Sequence, residues 1–583
     1  MQRMAITGEW PVGVCVFDEP APNAPRTISY PNYLDEILTH AGLCYARIDA
    51  GELVDALPHV RLLLTIGDNP LDDRTRAALR KWIEAGGGWL SIGGICGMDD
   101  VLGATPARGY QGWGAGIAML GEGYLTAARA GHRALDHIEK PLHCFNGAVV
   151  KSHGATVLAR ALDAHGRETD RPTILEHPFG RGRTFLIAAD VTGTIVRVQQ
   201  GVAVTRDGVP APNGSAALTD GVLKSGDGGV LDWIFDRDPV DGVPGLHAFL
   251  RPVADLWRET MLRSIFHLAA ELRVPLPLLW LYPRNLEALA HLSHDSDLNE
   301  PDRARRLLDL LAAARVKSTW CIILPGYDRA LINAIREAGH ELAMHFDAMS
   351  EGTRFTEAEF DQQWHELREL FGGAAPVTNK NHYLRWEGDC EFFRWCAARG
   401  IQLDQSKGAS KPGEAGFNFG TCHPYFPVEF DGRSIDVLEL TTPTQDLNVF
   451  APEPLFRPLL ESVRRRHGIL HLLFHPTHTV RDDVAGALER SVALARERGM
   501  EWWIAADINA WERARRKVRW SDYHASKSGA SVKLFVVDEL TDATILWLAS
   551  EPAAATVQRW GFDFRPTVMS LSTDSTSHFK YPD

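Results

Sequence analysis

From residue 285 to 510 the chain alternates apolar β-type runs with segments of helical period, and ionisable residues stand where the apolar runs end. That order constrains the fold more than any other feature. Repeated β-α units build a barrel or a doubly wound sheet, and in both the chemistry collects where strands end and loops begin. The expected strands are Leu286–Leu292, Ser318–Leu324, Glu341–Phe346, Gly468–Phe474 and Glu501–Ala506. The expected helices are Pro301–Arg315, Arg329–Gly339, Glu357–Phe371 and Asp483–Arg498, the first opened by its proline.

An earlier stretch has the same alternation. Val12–Phe17, Arg61–Ile66 and Trp89–Ile92 read as buried strands, and Tyr30–Gly42 and Asp72–Gly86 as helices, predicting a parallel layered sheet. The stretch 103–170 has no clear period. Residues 176–190 read as a turn and a buried strand, with RGRT at 181–184 a turn without a phosphate-loop signature. Residues 200–230, with GVPAPNGS and KSGDGG, read as a long loop, and Pro252–Leu272 as a helix. After 527 the period becomes two, in VKLFVV and ATILWLA, which predicts a small β appendage followed by the polar tail SLSTDSTSHFKYPD. The expected division is 1–245, 246–525 and 526–583.

Composition narrows the functional classes. The chain has 583 residues, 45% hydrophobic and 23% charged, enough for several packed domains. Its formal net charge of −14 argues against a nucleic-acid or anionic-membrane binder. No apolar run is long enough to span a bilayer, and the opening MQRMAITGEWPVGVCVF lacks a signal-peptide layout. Eight cysteines without a CxxC pair read as reduced thiols, so the expected location is the cytoplasm.

Five local clusters could carry chemistry. The first is His294-Asp295-Ser296-Asp297. In extended chain the two aspartates share a face and repel unless a cation or a shared proton compensates, as a divalent metal would, leaving one as ligand and the other as base. The same residues suit a helix cap, since Asp297 or Asn299 precedes Pro301. The second is GHELAMHFDA, 339–348, where His345 and Asp347 share a face and His340 opens a strand. The third is KNHYLRWEG, with His382 among aromatics. The fourth is the Gly- and aromatic-rich loop GFNFGTCHPYFP, 416–427. The fifth is LHLLFHPTH, where His475 and His478 follow a buried run and an imidazole could act as general acid.

In this order, HDSD, GHELAMHFDA, NHYLRW, GFNFGTCHPYFP and FHPTH resemble the polysaccharide deacetylases, the carbohydrate esterase family-four or NodB-like superfamily. The likeness is nearest to a divergent branch with HDxD and HYLR motifs and covers 285–510. It implies a distorted (β/α) barrel, a divalent metal, most often zinc, and hydrolysis of an N-acetyl group. It implies Asp295 as general base, Asp297 and His345 as metal ligands, and His475 as general acid. Two departures stand out. Ser296 separates aspartates that are usually adjacent, and Met349 stands where a second histidine is usual, four residues after His345. His382 is the candidate replacement ligand. Lys380 or Arg385 would take the part of the usual third-motif arginine, and Asp404 that of an orienting acid. Trp386, Phe419, Tyr425 and Phe426 are candidates for stacking on a sugar, with core packing as the other reading.

The segment ALRKWIEAGGGWLSIGG, 78–94, resembles the flavodoxin-like class I glutamine-amidotransferase fold. Cys96 in GGICG stands near the nucleophile position, and His137 and Glu139 form an HxE pair too soon after it. The favoured reading is a non-catalytic domain that packs, shapes a substrate cleft or forms a homo-oligomer. For the whole chain the sequence predicts a metal-dependent hydrolase acting on an amino sugar or glycan. The alternatives are the same site acting on a non-sugar amide, and a non-catalytic glycan-binding scaffold.

Overall fold

The computed structural model describes residues 8–17, 27–107, 120–208, 219–526, 529–549, 556–573 and 577–580. The chain divides into two compact units, each built from separated stretches. Unit 1 is Met1–Ile195, Leu256–Asn285 and Ala514–Asp583; unit 2 is Val196–Asp255 and Leu286–Arg513. The three consecutive segments expected from the sequence are therefore interleaved. The C-terminal strands are no separate appendage, because Leu540–Leu548 pairs antiparallel with Pro277–Leu279 inside unit 1.

Unit 1 holds a nine-stranded mixed sheet. Its parallel part runs in the order Ala46–Ile48, Trp10–Val16, Val60–Ile66, Gly88–Ile92 and Gly182–Ile187. Antiparallel strands Glu168–Phe179, Thr156–Leu162, Gly123–Ala127 and Leu142–Cys144 extend it. Three of these come from the stretch without a legible period. Helix Asp73–Glu84 begins where Asp72 accepts a hydrogen bond from the Thr75 amide at 2.7 Å, an N-cap that satisfies an otherwise orphan donor. Leu540–Leu548 also lies in a four-stranded sheet with Phe562–Leu571 and Val557–Arg559. The expected polar tail contains a strand, Ser577–Lys580, paired with Gly529–Phe535. Residues 209–218 of the expected long loop and 574–576 and 581–583 of the tail lie outside the described residues.

Unit 2 is a curved, all-parallel sheet with helices between most of its strands. We label its strands β1 Leu289–Asp295, β2 Thr319–Ile322, β3 Glu341–Phe346, β4 Thr378–Asn381, β5 Leu403–Asp404, β6 Leu438–Glu439, β7 Ile469–Leu473 and β8 Glu501–Trp503. Their order is β6-β5-β4-β3-β2-β1-β7, with β8 also paired to β1, and a parallel bridge joins Gln445 to Leu473. All seven residues of β1 and all five of β7 are buried, as expected for strands covered on both faces. Helices Pro301–Ala314 and Arg329–Glu337 start at a proline and at an Asp328 cap. Strand β1 begins and ends three residues later than its apolar run suggests, which makes Asp295 the last residue of the strand. Ala505 and Ala506 belong to helix Ala505–Arg516, not to the last strand.

Candidate metal centre

The candidate residues gather at the C-terminal ends of the parallel strands. Alternation along β1 puts Ser293 and Asp295 on one face and turns His294 to the other, where its Nδ1 meets the Phe474 carbonyl at 2.7 Å. Past Asp295 the chain leaves extended geometry. Asp297 has φ of 37° and Asn299 of 50°, so Asp297 does not reach the site by strand alternation. The inserted Ser296 fixes this turn: its hydroxyl donates to Asn299 Oδ1 at 2.8 Å and accepts from the Ile323 amide at 3.0 Å. The helix-cap reading of Asp297 and Asn299 fails, because Glu300 precedes Pro301 and no side chain caps that helix.

Three imidazoles face the two aspartates. His345 Nε2 lies 3.3 Å from Asp297 Oδ1 and 3.8 Å from Asp295 Oδ2. His382 Nε2 lies 3.9 Å from Asp297 Oδ1. His475 Nε2 lies 3.6 Å from Asp297 Oδ2 and 4.0 Å from Asp295 Oδ2. Each histidine has its other nitrogen against an acceptor. His345 Nδ1 is 2.9 Å from the Lys380 carbonyl, His382 Nδ1 is 2.9 Å from Asp347 Oδ1, and His475 Nδ1 meets Asp446. Such partners place the proton on Nδ1 and turn the Nε2 lone pairs of His345 and His382 inward, the arrangement that orients imidazole ligands in metal sites.

The donor set fits a cation. Ligand atoms of Asp297, His345 and His382 all lie within 4.8 Å of one another. Asp297 Oδ1 and His345 Nε2 are buried without a well-formed hydrogen bond, which is costly unless something else satisfies them. One carboxylate and two imidazoles suit zinc, with coordination positions left open. The Met349 backbone amide donates to Asp347 Oδ1 at 2.9 Å.

The charges around this cluster are arranged in opposition. Burial works against the charged forms of Asp295, Asp297, His345 and His475, yet the carboxyls of Asp295 and Asp297 stay below their usual range. Lys380 and His345 do this at Asp295, and His345 and His475 at Asp297. Lys380 is fully buried, with Nζ 3.2 Å from Asp295 Oδ1 and 2.5 Å from Ser293 Oγ. Burial would lower His475, but Asp446, with Asp297 and Asp295, raises it to about 10.

The remaining expected residues fall elsewhere. Arg385 is spent on Glu387, with a nitrogen 3.5 Å from the Met349 sulfur. Asp404 is buried behind the sheet ends, accepting from Asn379 at 2.8 Å and from Ser406. Trp386, Phe419 and Tyr425 are placed in the core rather than on a sugar-binding surface. Each is 0% exposed; Lys407 Nζ sits 3.8 Å from the Trp386 ring centroid, and the Tyr425 hydroxyl donates to the Gln199 carbonyl. Phe426 is partly exposed, with Arg513 over its ring. His340 accepts from the Ser318 amide at 3.0 Å, a structural role at the start of β3. Sequence reasoning missed Asp446, which bonds His475 and lies 2.9 Å from His478, and the pairing of Asp347 with His382. The spacing of Asp347 two residues after His345 was a signal for the second; Asp446 lies in a loop without a motif.

In unit 1, Cys96 has φ of 56°, a strained turn, but it is buried and its amide donates to Asp68 at 2.8 Å. Burial and Asp68 raise its thiol well above the usual range. His137 is bonded to Thr260 at 3.0 Å.

No family model matches the sequence, and no curated protein does. Solved structures do share parts of the fold. Agd3, described as a carbohydrate deacetylase, aligns over 98% of both chains at 10% identity and a TM-score of 0.41. A protein assigned as a polysaccharide deacetylase from Mycobacterium smegmatis aligns over 40% of this chain and 93% of its own, at 18% identity and a TM-score of 0.32. The allantoinase PuuE aligns over 40% and 92%, at 14% identity and 0.30. The structural neighbours thus include carbohydrate deacetylases. Among the described residues no helix is long and apolar enough to cross a membrane.

Proposed function

We propose that unit 2 is a metal-dependent hydrolase that removes an acyl group from the nitrogen of an amino sugar or glycan. The observation that carries this reading is the convergence of Asp295, Asp297 and three imidazole Nε2 atoms. Asp297, His345 and His382 would hold the metal. When bound, a zinc-type cation polarises the acyl carbonyl and makes water a better nucleophile. Asp295, kept ionised by Lys380, takes a proton from the attacking water. His475 holds a proton at Nε2 while Asp446 engages Nδ1, and it donates that proton to the nitrogen as the C–N bond breaks. The products are a carboxylic acid and a free amine.

Unit 1 is read as flavodoxin-like and non-catalytic. In support, its parallel strands run second, first, third, fourth, fifth, the flavodoxin order. Cys96 has Asp68, an acid, against its backbone, and His137 is bonded elsewhere.

The test is elemental analysis of protein purified without chelator, paired with acetate release from N-acetylated chitooligosaccharides. About one equivalent of zinc or a similar ion, lost in Asp297→Ala and His345→Ala, is the expected result. Wild-type protein that holds no metal after reloading overturns the reading.

A further inference from the structure

With the aromatic residues of the 416–427 loop and Trp386 largely enclosed, the site needs another way to recognise a sugar. Strand β4 ends at Asn381, and a 3-10 turn, His382–Leu384, follows it. Within that turn Tyr383 has φ of 58° and Leu384 of 51°. Two consecutive non-glycine residues in the left-handed region are a costly backbone, seen where surrounding structure or function demands it. The turn buries Leu384 in the core, at 1% exposed, and leaves Tyr383 at 53%. The Tyr383 ring lies 4.7 Å, centroid to centroid, from that of His382, a candidate metal ligand. It is held from within the unit: Lys224 Nζ is 5.2 Å from the ring centroid, Asp220 pairs with Lys224 at 2.7 Å, and Ser410 Oγ donates to the Tyr383 carbonyl at 2.9 Å. The turn that buries Leu384 thus holds a large ring half in solvent beside His382.

We propose that Tyr383 determines the specificity of this site, as a platform for the apolar C–H face of a pyranose ring. The proposal rests on the hydrolase reading above and deepens it. A pyranose offers a flat apolar face beside its acylamino group, and a phenol ring offers a rigid apolar face with a polar tip. A small non-sugar amide has no such face, so the platform selects N-acylated sugars over other amides.

The test is calorimetric titration of the zinc-loaded full chain with an N-acetylglucosamine tetramer, for wild type, Tyr383→Phe and Tyr383→Ala. Acetate-release kinetics and metal content are measured on the same preparations. Tyr383→Phe is expected to bind within about twofold of wild type, and Tyr383→Ala about tenfold or more weakly, with KM rising by a similar factor and kcat falling less. Metal content stays near about one equivalent in all three. Unchanged tetramer affinity in Tyr383→Ala overturns the proposal. So does loss of the metal in that variant, which would make the residue a support for His382. Wild type that binds no tetramer also overturns it. Wild type that binds the tetramer without releasing acetate overturns the hydrolase reading alone, and weaker binding by Tyr383→Ala then still upholds the platform.

Discussion

Lys380 is a buried cation between two groups of β1, the Ser293 hydroxyl and the Asp295 carboxylate. His471 completes the bracket: its Nδ1 is 2.9 Å from the Thr441 carbonyl and its Nε2 is 2.8 Å from Ser293 Oγ. Burial drives His471 well below its usual range, so it is neutral and accepts from the serine, which in turn accepts from Lys380. Lys380→Met removes the cation nearest to the buried Asp295 carboxylate, and urea unfolding should show a loss of about 3–5 kcal/mol. Adding Asp295→Asn to that variant should recover much of the loss, because no unpaired charge remains. Asp446→Asn should lower kcat for acetate release by about 100-fold with the metal retained, since His475 loses the partner that orients it. Asp295, Asp297, His345 and His475 were legible because each closes or follows an apolar run. Asp446 was not. It lies in TTPTQDLNVF, where nothing in spacing marks it, and only the folded chain brings it to His475.

Among the elements, β1, β3 and β7 could be read from their apolar runs, and β4, β5 and β6 could not. Strand β4 is Thr-Asn-Lys-Asn, all buried, and its side chains bond other polar groups instead of packing against apolar ones. Thr378 donates to Glu341 at 2.6 Å, and Asn379 to Asp404 and Asn381. Strands β5 and β6 have two residues each, too few for any period. The aromatic-loop reading meets the same interior: Phe419 and Tyr425 are fully buried, with Lys407 Nζ 5.4 Å from the Phe419 ring centroid. At the start of helix Val191–Gln200, Asp190 accepts from the Gly193 amide at 2.8 Å and from the Ser29 amide at 2.9 Å. Burial nevertheless raises its carboxyl from 3.8 to about 7. The folded chain thus binds this proton more tightly than the unfolded chain does. Its contribution to stability is complete below about pH 4 and is lost as pH rises to about 7, at roughly 1.4 kcal/mol per pH unit. Urea midpoints of Asp190→Asn, compared at pH 5 and 7.5, should show a smaller fall than wild type.

At the scale of the whole molecule, each unit has its own apolar core. One is built around Trp320, Phe346 and Phe392, the other around Leu63, Trp89 and Leu186. A ligand that binds one unit stabilises that unit by mass action. Calorimetric scans should therefore show zinc raising the transition of the unit that carries Asp297, His345 and His382, a stabilisation of about 3–4 kcal/mol at 100- to 1,000-fold excess over its dissociation constant. Asp297→Ala should abolish that shift. The interleaving of the two units also sets an order of manufacture. On the ribosome, every residue of unit 2 has been joined before Ala514 is added, while unit 1 still lacks its final 70 residues and the partner strand that Pro277–Leu279 requires. The half-made unit must wait, with that edge uncovered, for several seconds of translation at roughly 5–20 residues per second. Nascent chains stalled near residue 513 would thus carry a complete set of candidate metal ligands beside an unfinished sheet, and that stall point is where a co-translational chaperone would be needed most.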